Sequence, residues 1–202
     1  MALILKKIAS NTITKIPSGE PLTVQSLWEN NDVVIYFLRR FGCPVCRWIS
    51  HNLSQIKPVL DENNVKLVGI GPETNGSKEF VDQKIFAGDI YVDEKKQCYK
   101  DLEFKTISLL GAVGSALDKK VRELADKAKK DSLGGNFKGD FNQMGGLLIV
   151  KKGGTGILMN YKQQSASDYV ENQAILEALG IDATAKSSEG AAPACSRDAS
   201  SQ

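Results

Sequence analysis

The sequence predicts an α/β fold, with a mixed central sheet carrying helices on both faces. Three observations lead there. Residues 32–38 (Asp-Val-Val-Ile-Tyr-Phe-Leu) are continuously apolar from Val33 and rich in β-branched and aromatic side chains, which marks a strand buried on both faces. Behind it, Val45, Trp48, Ile49, Leu53, Ile56 and Leu60 form an apolar stripe at helical spacing. Residues 65–70 (Val-Lys-Leu-Val-Gly-Ile) then read as a second short buried strand. Strand, helix and strand in that order make a βαβ unit, whose crossover is right-handed and whose strands run parallel.

The remaining elements follow along the chain. Residues 3–27 read as a strand-and-turn lead-in, with Pro17-Ser18-Gly19-Glu20-Pro21 as the turn and Thr23 placed to cap a short helix to Leu27 and Trp28. The first buried strand stops at the short loop Arg39-Arg40-Phe41-Gly42. Pro58 lies inside the helical stripe, so that helix is expected to kink or end near Lys57. Residues 77–86 suggest a helix carrying Phe80, Val81 and Ile85, residues 89–92 a third strand, and residues 95–102 a helix containing Cys98. Residues 103–114 give no consistent period. Ser115 with Asp118 is a capping signature, expected to open a helix through Val121, Leu124, Ala125 and Ala128. The five glycines between Leu133 and Gly146 indicate a long loop. Residues 147–150 and 156–161, joined by a turn at 151–154, read as a β-hairpin, and residues 172–179 as a last helix ended by Gly180. From Thr184 the chain is small and polar, so residues 183–202 are expected to be a disordered tail behind a single domain of residues 1–182. The order β-α-β-α-β, then a hairpin and a helix, is the architecture of thioredoxin-like folds. Open α/β sheets place their sites at the carboxyl ends of the strands, here just after residue 38.

Bulk properties narrow the function. The 202 residues suffice for one core, and 42% hydrophobic with 25% charged residues is ordinary for a globular chain. The net charge of +2, from 26 basic and 24 acidic side chains, gives no reason to expect nucleic-acid binding. No run of 18 apolar residues exists, so stable membrane insertion is not expected. The first residues lack the pattern of a secretory signal, which makes the cytosol the expected location. One histidine, His51, rules out two-histidine metal motifs.

The chemistry concentrates at Cys43-Pro44-Val45-Cys46. Zinc normally takes four ligands, and only one Cys-x-x-Cys knuckle is present, so no metal is expected. In a reducing cytosol a close pair at a strand-to-helix junction points to redox chemistry. Pro44 suits the first helical turn, because its missing N–H would be unpaired there anyway. Cys43 then sits at the helix start, where unpaired N–H groups and the helix dipole favour a thiolate. The positive charges of Arg39, Arg40 and Arg47 add to this, and are expected to form a basic mouth favouring both the thiolate and an anionic substrate. Cys46 returns beneath Cys43 after about one turn. The expected division of labour is an exposed nucleophile, Cys43, and a more buried resolving thiol, Cys46. Cys98 reads as a packed or surface thiol, Trp48 as core, and His51 as a surface or packed side chain. Gly69-Ile70-Gly71 lacks the third glycine of a dinucleotide fingerprint, and the pairs Gly134-Gly135, Gly145-Gly146 and Gly153-Gly154 read as turns. No cofactor-binding residues stand out. The basic face of the 115–130 helix (Lys119, Lys120, Arg122, Lys127, Lys129, Lys130) reads as a solvated face, or one that attracts an anionic ligand.

The run from Leu38 to Ile49, Leu-Arg-Arg-Phe-Gly-Cys-Pro-Val-Cys-Arg-Trp-Ile, resembles the peroxiredoxin-like 2 family. So do Leu67-Val68-Gly69-Ile70-Gly71-Pro72-Glu73, Phe86-Ala87-Gly88, Tyr91-Val92-Asp93-Glu94 and Gly145-Gly146-Leu147-Leu148. The resemblance implies a thioredoxin-like fold and a cytosolic enzyme whose active cysteines fall on Cys43 and Cys46. It also implies reduction of the lipid endoperoxides prostaglandin H2 and prostamide H2 to their F2α products. NADPH would be the reductant, directly or through thioredoxin. Arg40 stands where true peroxiredoxins carry threonine, and glycines precede Leu147 where they carry arginine, which points away from ordinary peroxidase action. No proline precedes Leu147, unlike thioredoxins, which points away from general disulfide exchange. Two other readings stay open: a general thiol reductase or peroxidase for small hydroperoxides, and a non-catalytic thioredoxin-fold binding module.

Overall fold

The computed structural model describes residues 3–108, 114, 118–136 and 139–182. Seven strands form one sheet in the order β2-β1-β5-β4-β3-β6-β7. The expected βαβ unit lies at its centre. Strand β3 (Asp32–Phe37) pairs in parallel with β4 (Val65–Gly71), and β4 with β5 (Asp89–Val92). The hairpin of β6 (Gly146–Val150) and β7 (Ile157–Lys162) adds antiparallel to β3. At the other edge β1 (Thr12–Ile16) pairs antiparallel with β5 and with β2 (Pro21–Thr23).

The period-2 geometry of a strand sends alternate side chains to opposite faces, and β3 shows how the two cores arise. Val34, Tyr36 and Leu38 join the core beneath α2 (Pro44–Ser54), α3 (Lys57–Glu62), α4 (Ser77–Asp82), α6 (Lys119–Lys130) and α7 (Asn172–Ala178). Val33, Ile35 and Phe37 join the core beneath α1 (Leu3–Ile8), the 3-10 turn Val24–Leu27 and α5 (Gln97–Asp101). Each fully buried aliphatic or aromatic side chain of these layers stabilises the fold by about 1.5–3 kcal/mol.

Several expectations are corrected. The lead-in opens with helix α1, whose six residues are too few for helical spacing to stand out from a strand. The break expected near Lys57 is present, as α2 ends at Ser54 and Pro58 lies in the first turn of α3. Helix α4 ends at Asp82, short of Phe86. The capping residue of α6 is Asp118, whose carboxylate accepts from the N–H groups of Lys120 and Val121 at 2.8 and 3.1 Å, while Ser115 lies outside the described residues. Trp48 is half-buried rather than core, stacked edge-on against Tyr169 and covered by the Lys127 ammonium at 4.8 Å. The tail expected at 183–202, with Cys195, also lies outside the described residues.

Candidate active site

Strand β3 ends where its neighbours do, and the chain leaves through residues 38–43 into α2. The base of this loop is tied down. Leu38 donates its N–H to Ile70 O, and the buried Tyr99 hydroxyl donates toward Leu38 O and Ile70 O at 2.7 and 2.8 Å. The Phe41 ring packs edge-on against Phe80 and over Gly71, where an added Cβ would lie 2.2 Å from the ring. Gly71 therefore provides room for an aromatic ring, and the Gly69-Ile70-Gly71 run is a packing feature.

Cys43 is the N-cap of α2, with extended backbone (φ −74°, ψ 122°), and Pro44 opens the helix. The helix returns Cys46 to Cys43 after one turn. The Cys46 thiol donates a hydrogen bond to the Cys43 sulfur, and the Cys46 backbone N–H faces the same sulfur. The Cys46 thiol, with the Arg39 and Arg40 charges, holds the Cys43 thiol down at about 5, against the upward push of burial. The partner moves the other way: the hydrogen bond it gives, burial and the Cys43 charge hold Cys46 protonated. The two environments thus separate one nucleophilic thiolate from one protonated thiol.

The rate of Cys43 alkylation by iodoacetamide should therefore rise through a midpoint near pH 5. The thiolate is the reactive form, and an ordinary thiol has its midpoint near about 8.5. Arg39→Met should move that midpoint up by about one pH unit. A midpoint near 8 in the unmodified protein would remove this account.

Two placements differ from expectation. Cys43 is not exposed: it is 6% accessible, and Cys46 is fully buried. A strap of residues 133–136 follows α6 and crosses the Gly42–Pro44 turn on either side of Cys43. Asn136 donates its N–H to Gly42 O at 2.7 Å and its side-chain amide to Glu79. Gly135, at φ +150°, passes so close to Pro44 that a Cβ there would lie 2.6 Å from the ring. The pair Gly134-Gly135 is thus the turn of this strap, which sequence could show only as glycines in a loop.

The three arginines, expected at an open mouth, are all buried. Arg40 donates to Asn136 O at 2.9 Å and stacks over Phe141 at 3.9 Å, while its charge still acts on Cys43. Arg47 turns away from the sulfurs. Its guanidinium donates to Phe41 O, Leu133 O and Gln83 and pairs with Glu79 at 2.8 Å. It fastens the strap and α4 to the active loop.

Sequence reasoning also missed Tyr36. It stands on the α2 face of β3, 3% accessible, and its hydroxyl shares the site with the two sulfurs. The available signal was a lone polar side chain in an apolar strand, two residues from Leu38 on the same face.

Cys98 is buried on the opposite face of the sheet. Its sulfur accepts from the Asn11 amide at 3.6 Å, and burial pushes its thiol up. His51 is half-buried, further along α2. Among the described residues no cluster of three metal-ligating side chains occurs, and no helix is long and apolar enough to cross a membrane.

Comparison with known proteins gives a consistent result. Residues 52–165 match the family model described as AhpC/TSA antioxidant enzyme. The chain is 48% identical to the prostamide/prostaglandin F synthase of Salmo salar over 98% of both chains. It is 44% identical to that of Homo sapiens, over 96% of this chain and 97% of the relative. Among solved structures, Xanthomonas campestris peroxiredoxin Q superposes with a TM-score of 0.58 at 14% identity, covering 87% of this chain and 92% of that one. Mycobacterium tuberculosis peroxidoxin BcpB gives 0.55 at 13% identity, covering 84% and 88%. At such identities the structural likeness speaks for the fold, which is thioredoxin-like.

Proposed function

The chain belongs to the AhpC/TSA, peroxiredoxin-like family, together with the prostamide/prostaglandin F synthases, and on that premise we propose that it reduces the endoperoxide of prostaglandin H2 and prostamide H2 to prostaglandin F2α and prostamide F2α. The observation that carries this reading is the polarised pair, a Cys43 thiolate hydrogen-bonded by a Cys46 thiol, in a chain matched to those enzymes along nearly its whole length.

The steps balance as follows. The Cys43 thiolate attacks one oxygen of the O–O bond, forming an S–O bond and releasing the other oxygen as an alkoxide. The Cys46 thiol is the nearest proton to the reacting sulfur, and as it gives up that proton it becomes the second nucleophile. Cys46 then attacks the Cys43 sulfur, the S–O bond breaks, the disulfide closes, and the second oxygen takes a proton from solvent. One two-electron reduction of the O–O bond yields two hydroxyls and one disulfide. The Arg39 and Arg40 charges at the pair stabilise the attacking thiolate and the alkoxide that follows.

Regenerating the dithiol requires two electrons. We assign NADPH as their ultimate source, reaching the pair directly or through thioredoxin and its reductase. We place the enzyme in the cytosol, where reducing conditions return the pair to the dithiol. The test is a purified-enzyme assay with prostaglandin H2, with product identified by mass spectrometry. F2α formation well above that from boiled protein, and faster turnover than with hydrogen peroxide, is the expected result. Equal or better turnover of hydrogen peroxide would favour a general peroxidase. NADPH consumption with no other protein present would dismiss the thioredoxin relay.

A further inference from the structure

The mechanism creates a difficulty at Cys46. Once its proton leaves, a thiolate stands at a position with no solvent contact, among Val45, Ile49 and Leu53. A buried anion without a donor is costly, and proteins meet that cost with hydrogen bonds and opposite charge. Two donors near the pair are held in reserve. The Tyr36 hydroxyl and the Arg39 Nε are both buried, and neither has a hydrogen-bond partner of ordinary geometry among the described residues. An unpaired buried donor costs about 1–3 kcal/mol, so its persistence calls for an explanation.

Position supplies one. Tyr36 lies on β3 between Gly69 of β4 and Leu147 of β6, with its side chain on the face that α2 covers. Its ring lines a narrow apolar crevice with Ile49, Leu53 and Leu147. The groups acting on its hydroxyl are the Cys46 and Cys43 sulfurs and the Arg39 guanidinium. Burial and the two sulfurs push its pKa well above the ordinary phenol value, so it stays protonated and can only be a donor toward a sulfur anion.

We propose that Tyr36 is a further catalytic residue: its O–H donates a hydrogen bond to the Cys46 thiolate as that anion forms, holding the resolving nucleophile for its attack on Cys43. The proposal rests on the dithiol mechanism given above. No proton is transferred to or from Tyr36. In the reduced enzyme its hydroxyl has only a weak interaction with the Cys46 sulfur, short of a hydrogen bond of ordinary geometry, and it meets a full charge in the one intermediate where an anion appears beside it, so the interaction strengthens as the reaction advances. The Arg39 charge acts on the same sulfur and adds to the effect.

The test separates the two sulfur steps. Reduced enzyme is mixed with one equivalent of prostaglandin H2, quenched with acid and alkylator, and analysed by mass for free dithiol, Cys43 adduct and disulfide. In Tyr36→Phe the adduct should form at the wild-type rate. Its conversion to disulfide should slow by about ten- to a hundredfold, the range for one lost hydrogen bond to a charged group. In a Cys46→Ser background, Tyr36→Phe should change nothing. Site-specific 3-fluorotyrosine, a stronger donor of nearly the same shape, should resolve the adduct no slower than tyrosine does. The unfolding temperature of Tyr36→Phe should be at or above that of the wild type, because the lost hydroxyl had no ordinary hydrogen bond to give up.

Disulfide formation at the wild-type rate in Tyr36→Phe would overturn the proposal. So would a 3-fluorotyrosine enzyme as slow as the phenylalanine one, or an equal slowing of adduct formation in the Cys46→Ser background. If the wild type gives neither adduct nor disulfide, the dithiol mechanism falls and Tyr36 with it. If the wild type gives both and Tyr36→Phe matches it, only the role of Tyr36 falls.

Discussion

Serine at position 43 should lower turnover of prostaglandin H2 by at least about a thousandfold, because a serine hydroxyl is not ionised at neutral pH and has no base beside it to activate it. The environment that lowers the Cys43 thiol to about 5 cannot do the same for an alcohol. Cys46→Ser should be as dead in steady state yet different in single turnover. Its Cys43 retains the Arg39 and Arg40 charges and the α2 N-terminus, and a serine hydroxyl can still donate to it. One equivalent of endoperoxide should therefore be opened, leaving a stable adduct at Cys43 with no disulfide. Rapid-quench mass spectrometry reads both variants. An active steady state in either variant, or an adduct in Cys43→Ser, would remove the assignment of nucleophile and resolver.

The sheet and the position of the cysteines were legible in sequence for a physical reason. A strand buried on both faces, such as β3, must be apolar throughout, and the helix behind it must carry its apolar residues on one side. Proline after Cys43 marked the helix start, and the structure puts the N-cap there. What remained hidden depends on contacts between distant segments. The turn that holds Cys43 is crossed by residues 133–136, some ninety positions away, held by hydrogen bonds to backbone groups that no side-chain pattern announces. Arginine next to a cysteine in sequence suggested electrostatic support, yet side chains one residue apart on a helix point in different directions. Arg47 follows Cys46 and so faces α4 and the strap, whereas Arg39 and Arg40 precede the helix and act on the sulfur. Tyr36 was read as one more strand-forming aromatic, because its hydroxyl becomes relevant only once α2 lies across it.

Arg47→Met separates these two roles of arginine most sharply. Arg47 is fully buried, with hydrogen bonds to Phe41 O and Leu133 O at 2.9 Å each, to Gln83 at 3.1 Å, and an ion pair with Glu79. Methionine replaces the aliphatic stem and keeps most of the packing, but leaves the two carbonyls without their donor. Glu79 is 43% exposed, so its carboxylate regains water and contributes little to the loss. The expected destabilisation is about 2–4 kcal/mol, from two orphaned buried acceptors, or about 5–15 °C in unfolding temperature for a chain of this size. Arg47→Lys keeps the charge but cannot reach three directions with a planar fork, and should recover less than half of the loss. Because the leading influences on the Cys43 sulfur come from Cys46, burial, Arg39 and Arg40, the pH midpoint of Cys43 alkylation in the folded variant should stay within about half a pH unit of the wild type. The absolute rate should rise, since the strap has lost its main fastening to the active loop. Unchanged stability together with a midpoint raised by a unit or more would reverse the assignment, making Arg47 an electrostatic partner of the thiolate after all.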